Sequence, residues 1–189
     1  MNRLTEPIGP RDHVLGPPNA PAALVEYGDY QCPQCARAHY EVAEILRRVG
    51  NDVRYAYRHF PLTHLHPHAL LAAQAAEAAG AEGRFWPMHS MLFANQDALD
   101  PAELLGCAET LGLDVRRFSR ELQHGVYLPK IETDFRSGSS SGVNGTPAFF
   151  VNGRRMPAWD ADSLTAAIRD AVQEGAPAPF RRPSPQTHR

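Results

Sequence analysis

Cys32-Pro33-Gln34-Cys35 constrains this chain more than any other stretch. The apolar run Ala22-Ala23-Leu24-Val25-Glu26-Tyr27 precedes it, and a helical pattern begins at Pro33 or Gln34. A Cys-x-x-Cys pair where a strand hands over to a helix is the sequence signature of a thiol–disulfide redox site. Residues three apart share one face of a helix, so the two sulfurs can meet. Cys32 stands at the helix N-terminus, where unpaired backbone N–H groups and the positive dipole end favour a thiolate. Such a setting lowers a thiol pKa from about 8.5 into the range of roughly 3.5 to 7.5. Pro33 suits the first helical position, because its missing N–H has no partner there anyway. This makes Cys32 the expected nucleophile and Cys35, one turn in and less exposed, the expected resolving thiol.

Other readings of the pair fit less well. Structural zinc takes four ligands, and the only further cysteine is Cys107, alone. A purely structural disulfide closing so small a loop stabilises little. His64, His66 and His68 alternate in Thr63-His64-Leu65-His66-Pro67-His68 and invite a metal reading, but the segment is expected to open a helix, where histidines cap, pack or face solvent. No metal and no cofactor is therefore expected. Cys107 reads as a small buried hydrophobe. Phe85, Trp86, Met88, Met91, Leu92 and Phe93 read as a helix surface packed on the core, with a peptide-binding groove as the alternative.

A second motif lies far downstream. Gly142-Val143-Asn144-Gly145-Thr146-Pro147 leads into Ala148-Phe149-Phe150-Val151-Asn152-Gly153. That is a Gly/Asn turn, a Thr-Pro, a short β-rich run and an Asn-Gly hairpin turn. A proline suits a first strand residue because it cannot donate to the ladder.

With Glu26 six residues before Cys32, the Cys32–Cys35 pair and Thr146-Pro147 before a hairpin, the chain resembles the thioredoxin superfamily and, within it, the DsbA-like disulfide oxidoreductases. The resemblance covers roughly residues 14 to 174. It implies an α/β thioredoxin fold, a central mixed sheet flanked by helices, with an inserted helical subdomain. It implies a cis-proline loop that faces the Cys pair and holds substrate backbone, so Pro33, Gln34, Thr146 and Pro147 are the expected substrate-binding residues. It also strengthens Glu26 as a catalytic residue that relays the proton Cys35 must lose; the plainer reading is a solvated acid on a strand end. Several DsbA-like proteins carry a His where this chain has Gln34, which can hydrogen-bond but brings no charge.

Along the chain, residues 1–12 read as an irregular arm and His13-Val14-Leu15 as a short edge strand. Strands are expected at 24–27, 53–60, 148–151 and about 154–156. Helices are expected at 34–49, 66–79, 84–94, 101–111, 114–122, 128 to about 137 and 162–173. Asp100, with Pro101 after it, and Asp160 are the expected N-caps. The domain reading is a thioredoxin-like core at 13–60 and 143–174, a helical insertion at 61–142, and a disordered Pro-rich tail at 175–189.

Composition sets the outer limits. The 189 residues suit one domain with an insertion, and 43% hydrophobic content supports a core. A net charge of −2 with scattered arginines gives no nucleic-acid or membrane-surface signal. No apolar run is long enough for membrane insertion. The start carries no signal-peptide pattern, so the chain reads as cytoplasmic, or as periplasmic or extracellular if a leader was removed. The function expected is thiol–disulfide exchange with protein, peptide or small-thiol substrates and a redox partner the sequence does not identify. Two alternatives stand beside it: a non-catalytic redox-sensing or binding module, since a fold does not fix a function, and a metal chaperone using the Cys pair and a His. Domains of the branch it resembles also occur fused to membrane transporters, but this sequence shows no transporter segment.

Overall fold

A computed structural model describes residues 3–175. The expected tail lies outside these residues apart from Gly175. Five strands form one mixed sheet in the order β1-β3-β2-β4-β5. They are β1 (His13–Leu15), β2 (Ala22–Gly28), β3 (Val53–His59), β4 (Ala148–Val151) and β5 (Arg154–Arg155). β2 and β3 run parallel, joined by helix α1 (Pro33–Val49) and a short 3₁₀ turn. All other pairings are antiparallel. The β4–β5 hairpin turns on Asn152-Gly153, both at positive φ, which is the backbone an Asn-Gly pair adopts readily.

Between β3 and β4 lie five helices: α2 (Ala69–Ala81), α3 (Phe85–Ala94), α4 (Pro101–Thr110), α5 (Val115–Gln123) and α6 (Leu128–Ser140). Helix α7 (Ala161–Glu174) closes the described chain. Side-chain oxygens cap three of them. Asp100 accepts from Ala102 and Glu103 N–H, Asp114 from Arg117 N–H, and Asp160 from Ser163 N–H. Helix α2 starts at Ala69, three residues later than the apolar pattern suggests. Pro67 disfavours helical backbone at His66, and the His66 ring is engaged elsewhere, so 63–68 form turns.

Period-2 alternation splits the sheet into two buried faces. Leu24, Tyr55, Tyr57, Phe149 and Val151 point to the front, against α1, α3 and α7 through Val42, Ile45, Phe85, Met88, Leu164 and Ile168. Full burial of each such side chain is worth about 1.5–3 kcal/mol. Val25, Tyr27, Ala56, Phe60 and Phe150 point to the back, where α6 and the residues before β1 cover them. Helix α6 approaches so closely that a Cβ on Gly138 would stand 2.8 Å from the Phe60 ring and 2.9 Å from the Tyr27 ring.

The expected irregular arm is stapled rather than loose. Arg58, on β3, spends all five N–H donors at the back face. It makes a two-pronged contact with Asp12 at 2.8 and 2.9 Å, and donates to Glu6 O, Pro7 O and the Tyr27 hydroxyl. Tyr27 in turn meets Ser137 of α6 at 2.8 Å. A second buried cluster ties β1 and β3 to the helices: Glu77 of α2 meets His13 at 3.0 Å and His59 at 2.8 Å.

Candidate active site

Cys32 is the N-cap residue of α1, and Cys35 lies one turn inside it. Both thiols are free. Cys32 keeps 7% of its surface exposed and Cys35 none, so an incoming group meets Cys32. Pro33 and Gln34 are exposed beside it. The Cys32 thiol is pulled down to about 5, first by a hydrogen bond from the Cys35 thiol. Thr146 and the backbone N–H groups of Cys35 and Gln34 add to this, against the cost of burial. Burial, the Cys32 sulfur and Glu26 push Cys35 the other way, well above the usual thiol range. The pair is thus split into a thiolate with a narrow exposed edge and a fully buried thiol beneath it, the condition for directional attack.

Thr146-Pro147 comes to this pair from the opposite end of the sequence. The Thr146 carbonyl lies 3.4 Å from Cys32 Sγ, and the Thr146–Pro147 peptide is cis. Thr146 Oγ1 is buried without a hydrogen-bond partner among the described residues.

Glu26 lies on the front face of β2, 1% exposed, which excludes the solvated reading. Burial pushes its carboxyl up to about 8, and the Cys32 thiolate adds to the rise, while the Tyr55 hydroxyl opposes it by donating to Oε2 at 2.6 Å. Oε1 has no partner among the described residues. A buried carboxyl with one open oxygen near neutrality can take or return a proton.

Three supports were not singled out from the sequence. Asp29 carries the turn from β2 into α1: its N–H donates to Cys35 Sγ at 3.4 Å and its carbonyl accepts from Cys32 N–H at 3.1 Å. Gln96, just after α3, donates to the carbonyls of Tyr30 and Cys32 at 2.8 and 2.7 Å. Tyr55 holds Glu26, and its place follows from the alternation in Val53-Arg54-Tyr55-Ala56-Tyr57. Asp29 had a local signal too, an Asp two residues before a loop N–H, the pattern of an Asx turn. Gln96 lies 64 residues from Cys32 and had none.

Of the remaining sequence candidates, His66 reaches the turn that carries the Cys pair. His66 donates from Nδ1 to Asp29 Oδ2 at 2.8 Å. Among the described residues, no group of three or more His, Cys, Asp or Glu is arranged to hold a metal ion. Cys107 is buried on α4, its thiol pushed up by burial and Glu103. Phe85, Met88, Leu92 and Phe93 are buried in the core, and Trp86 and Met91 pack against it.

A family model described as Thioredoxin matches residues 9–170. The chain belongs to the thioredoxin family. Solved structures resemble it: a thioredoxin-like oxidoreductase from Silicibacter pomeroyi DSS-3 superposes with a TM-score of 0.78 at 29% identity, covering 89% of this chain and 95% of that one. Alpha-DsbA1 from Wolbachia pipientis also gives 0.78, at 21% identity over 90% of this chain and 95% of that one, a likeness of fold. A curated relative of another kind is the Na(+)/H(+) antiporter NhaA 1 of Salinispora arenicola (strain CNS-205), 48% identical over 170 residues. That match covers 89% of this chain and 26% of the antiporter, so the thioredoxin-like chain spans about a quarter of that relative's length. Among the described residues no helix is long and apolar enough to cross a membrane.

Proposed function

We propose that this chain exchanges disulfides with protein, peptide or small-thiol substrates through Cys32-Pro33-Gln34-Cys35. The observation that carries the reading is the division of the pair: an acidic, accessible Cys32 at a helix N-terminus over a buried Cys35, with the open oxygen of Glu26 on the same buried side. In the reducing direction the Cys32 thiolate attacks one sulfur of a substrate disulfide and expels the other as a thiolate. With Cys32 bonded to substrate and no longer an anion, one cause of the raised Glu26 pKa is gone; the ionised Glu26 carboxylate takes the Cys35 proton, and the Cys35 sulfur attacks Cys32 Sγ. The Cys32–Cys35 disulfide forms, the bond to substrate breaks, and the second substrate thiolate takes up a proton. Two electrons pass from the pair to the substrate, and the reverse sequence oxidises a dithiol. Pro33, Gln34, Thr146 and Pro147 border Cys32 and are assigned to the substrate backbone. A core at 13–60 and 143–174, interrupted by the helical stretch 61–142, is the proposed division of the chain.

The test is turnover of a disulfide-bonded peptide in a glutathione buffer. Wild type is expected to turn over. Cys35→Ser is expected to accumulate a mixed disulfide at Cys32. Wild-type protein that forms no mixed disulfide and does not turn over would refute the reading. A second reading, a redox-sensing module that serves a membrane transporter, draws on the antiporter relative. It predicts that Cys32–Cys35 oxidises and reduces with its surroundings but does not turn over a substrate disulfide.

A further inference from the structure

We infer that Asp29, held by His66, is a positioning residue for the resolving attack of Cys35. The inference rests on the exchange reaction proposed above. The Asp29 side chain is fully buried and saturated from two elements. Oδ1 accepts from Gln31 N–H at 2.8 Å, and Oδ2 accepts from Leu62 N–H and His66 Nδ1, both at 2.8 Å. Its own backbone faces the sulfurs: Asp29 N–H to Cys35 Sγ at 3.4 Å, and Asp29 O to Cys32 N–H at 3.1 Å. One residue therefore clamps the β3–α2 connection with its side chain and both cysteines with its main chain. Burial, Cys32 and Glu26 oppose ionisation of the Cys35 thiol, and the Asp29 N–H favours it. A thiolate forming at Cys35 during resolution has that N–H aimed at it, and the carboxylate fixes the peptide that carries it. Cys32 depends less on this clamp, because its first stabiliser is the Cys35 thiol, with Thr146 and the α1 N–H groups behind it.

Asp29→Asn separates the two halves of the clamp. The amide can keep Oδ1 on Gln31 N–H but turns an NH₂ donor toward the donors of Leu62 and His66. The measurement uses protein carrying a thionitrobenzoate mixed disulfide on Cys32, whose release by Cys35 is followed by absorbance. Alkylation of Cys32 in the reduced protein is followed in parallel across pH. Loss of hydrogen bonds to a charged group predicts resolution at least about tenfold slower in Asp29→Asn. Alkylation of Cys32 should keep its pH midpoint and stay within about twofold in rate. His66→Ala removes one of the two donors on Oδ2 at a partly exposed site and should slow resolution about threefold, again sparing alkylation. Should Asp29→Asn fail to fold by circular dichroism, His66→Ala decides alone. Resolution at wild-type speed in a folded variant, or equal slowing of resolution and alkylation, overturns the inference. A wild-type protein that does not resolve its own mixed disulfide refutes the exchange reading instead.

Discussion

The two faces of the sheet differ in how they hold buried polar groups. At the back, Arg58 uses every N–H it has, on Asp12, Tyr27 and two carbonyls. There Arg54 Nε alone of the β3 side-chain atoms is buried without a partner among the described residues, whereas at the front Glu26 Oε1, Tyr57 Oη and Thr146 Oγ1 are. Burying an unpaired polar group costs about 1–3 kcal/mol, so a fold keeps such groups where they have another use. The three at the front lie around the Cys pair or on the face beneath it. The back face holds the structure together, and the front face holds chemistry in reserve.

The largest separation between the faces is expected in activity. Cys32→Ser should lower disulfide exchange roughly a thousandfold or more, because the nucleophile has no substitute. Arg58→Met should leave exchange per folded molecule within about twofold, since Arg58 touches nothing at the site. A large loss of exchange in folded Arg58→Met protein would break the division.

Stability should separate them in the other direction. Arg58→Met strands a buried Asp12 carboxylate and should cost about 3–5 kcal/mol in denaturant unfolding. Adding Asp12→Leu should recover part of that loss, because the pair is then removed whole. A single variant as stable as wild type would show that the arm is not held through Arg58.

How much of this division the sequence reveals depends on range. Alternation in Val53-Arg54-Tyr55-Ala56-Tyr57-Arg58 puts Tyr55 and Tyr57 on one face and Arg58 on the other. The Cys pair and Thr146-Pro147 are legible because each is a local pattern with a mechanism. Glu26 is visible as an acid in an apolar run, but its degree of burial depends on α1 and on the neighbouring strands. The partner of Arg58 was not legible: Asp12 lies 46 residues away in a segment without periodicity, and the arm reads as irregular. Asp29 was passed over for a related reason. Its Asx turn is local, but its role comes from Leu62 and from His66, which reads as the first residue of a helix over 66–79 rather than as part of the turn before Ala69.

Glu26→Gln tests the front face through pH. In the fold the Glu26 carboxyl stays protonated up to about 8, against 4.5 in an open chain. Its protonated form therefore supports the fold fully below 4.5, and this support fades as pH rises through 8. Glu26→Gln should stabilise the protein by about 3 kcal/mol at pH 7 and hardly at all at pH 4. It should also slow the resolving step, since no carboxyl remains to take the Cys35 proton. Cys32 has the opposite sign. With its thiol near 5 in the fold and 9.0 as the reference, its contribution is complete above 9 and is lost as pH falls through 5. The melting temperature of Cys32→Ser should fall below that of reduced wild type more at pH 8 than at pH 5. Equal gaps at the two pH values would mean that the front face does not stabilise a thiolate.

The smallest effect, and the finest test of the front face, concerns Gln34. Its backbone N–H already helps to hold the Cys32 thiolate, while its side chain is exposed and uncharged. Gln34→His would add a cation at the N-terminal turn of α1, where a nearby thiolate gains from it. Favouring the thiolate favours the dithiol over the disulfide, so the potential should rise, making the protein more oxidising. Solvent screens a charge at so exposed a position, so a shift of about 30 mV, or 1.4 kcal/mol for two electrons, is an upper expectation. An unperturbed imidazole loses its charge near about 6.5. The shift should therefore be present against glutathione at pH 6 and largely gone at pH 8. A shift of equal size at both values would mean that the new side chain acts through a hydrogen bond rather than its charge. No shift at either would leave the poise to the Cys35 thiol, Thr146 and the backbone N–H groups of the first turn, the contacts that hold the Cys32 thiolate before any change at position 34.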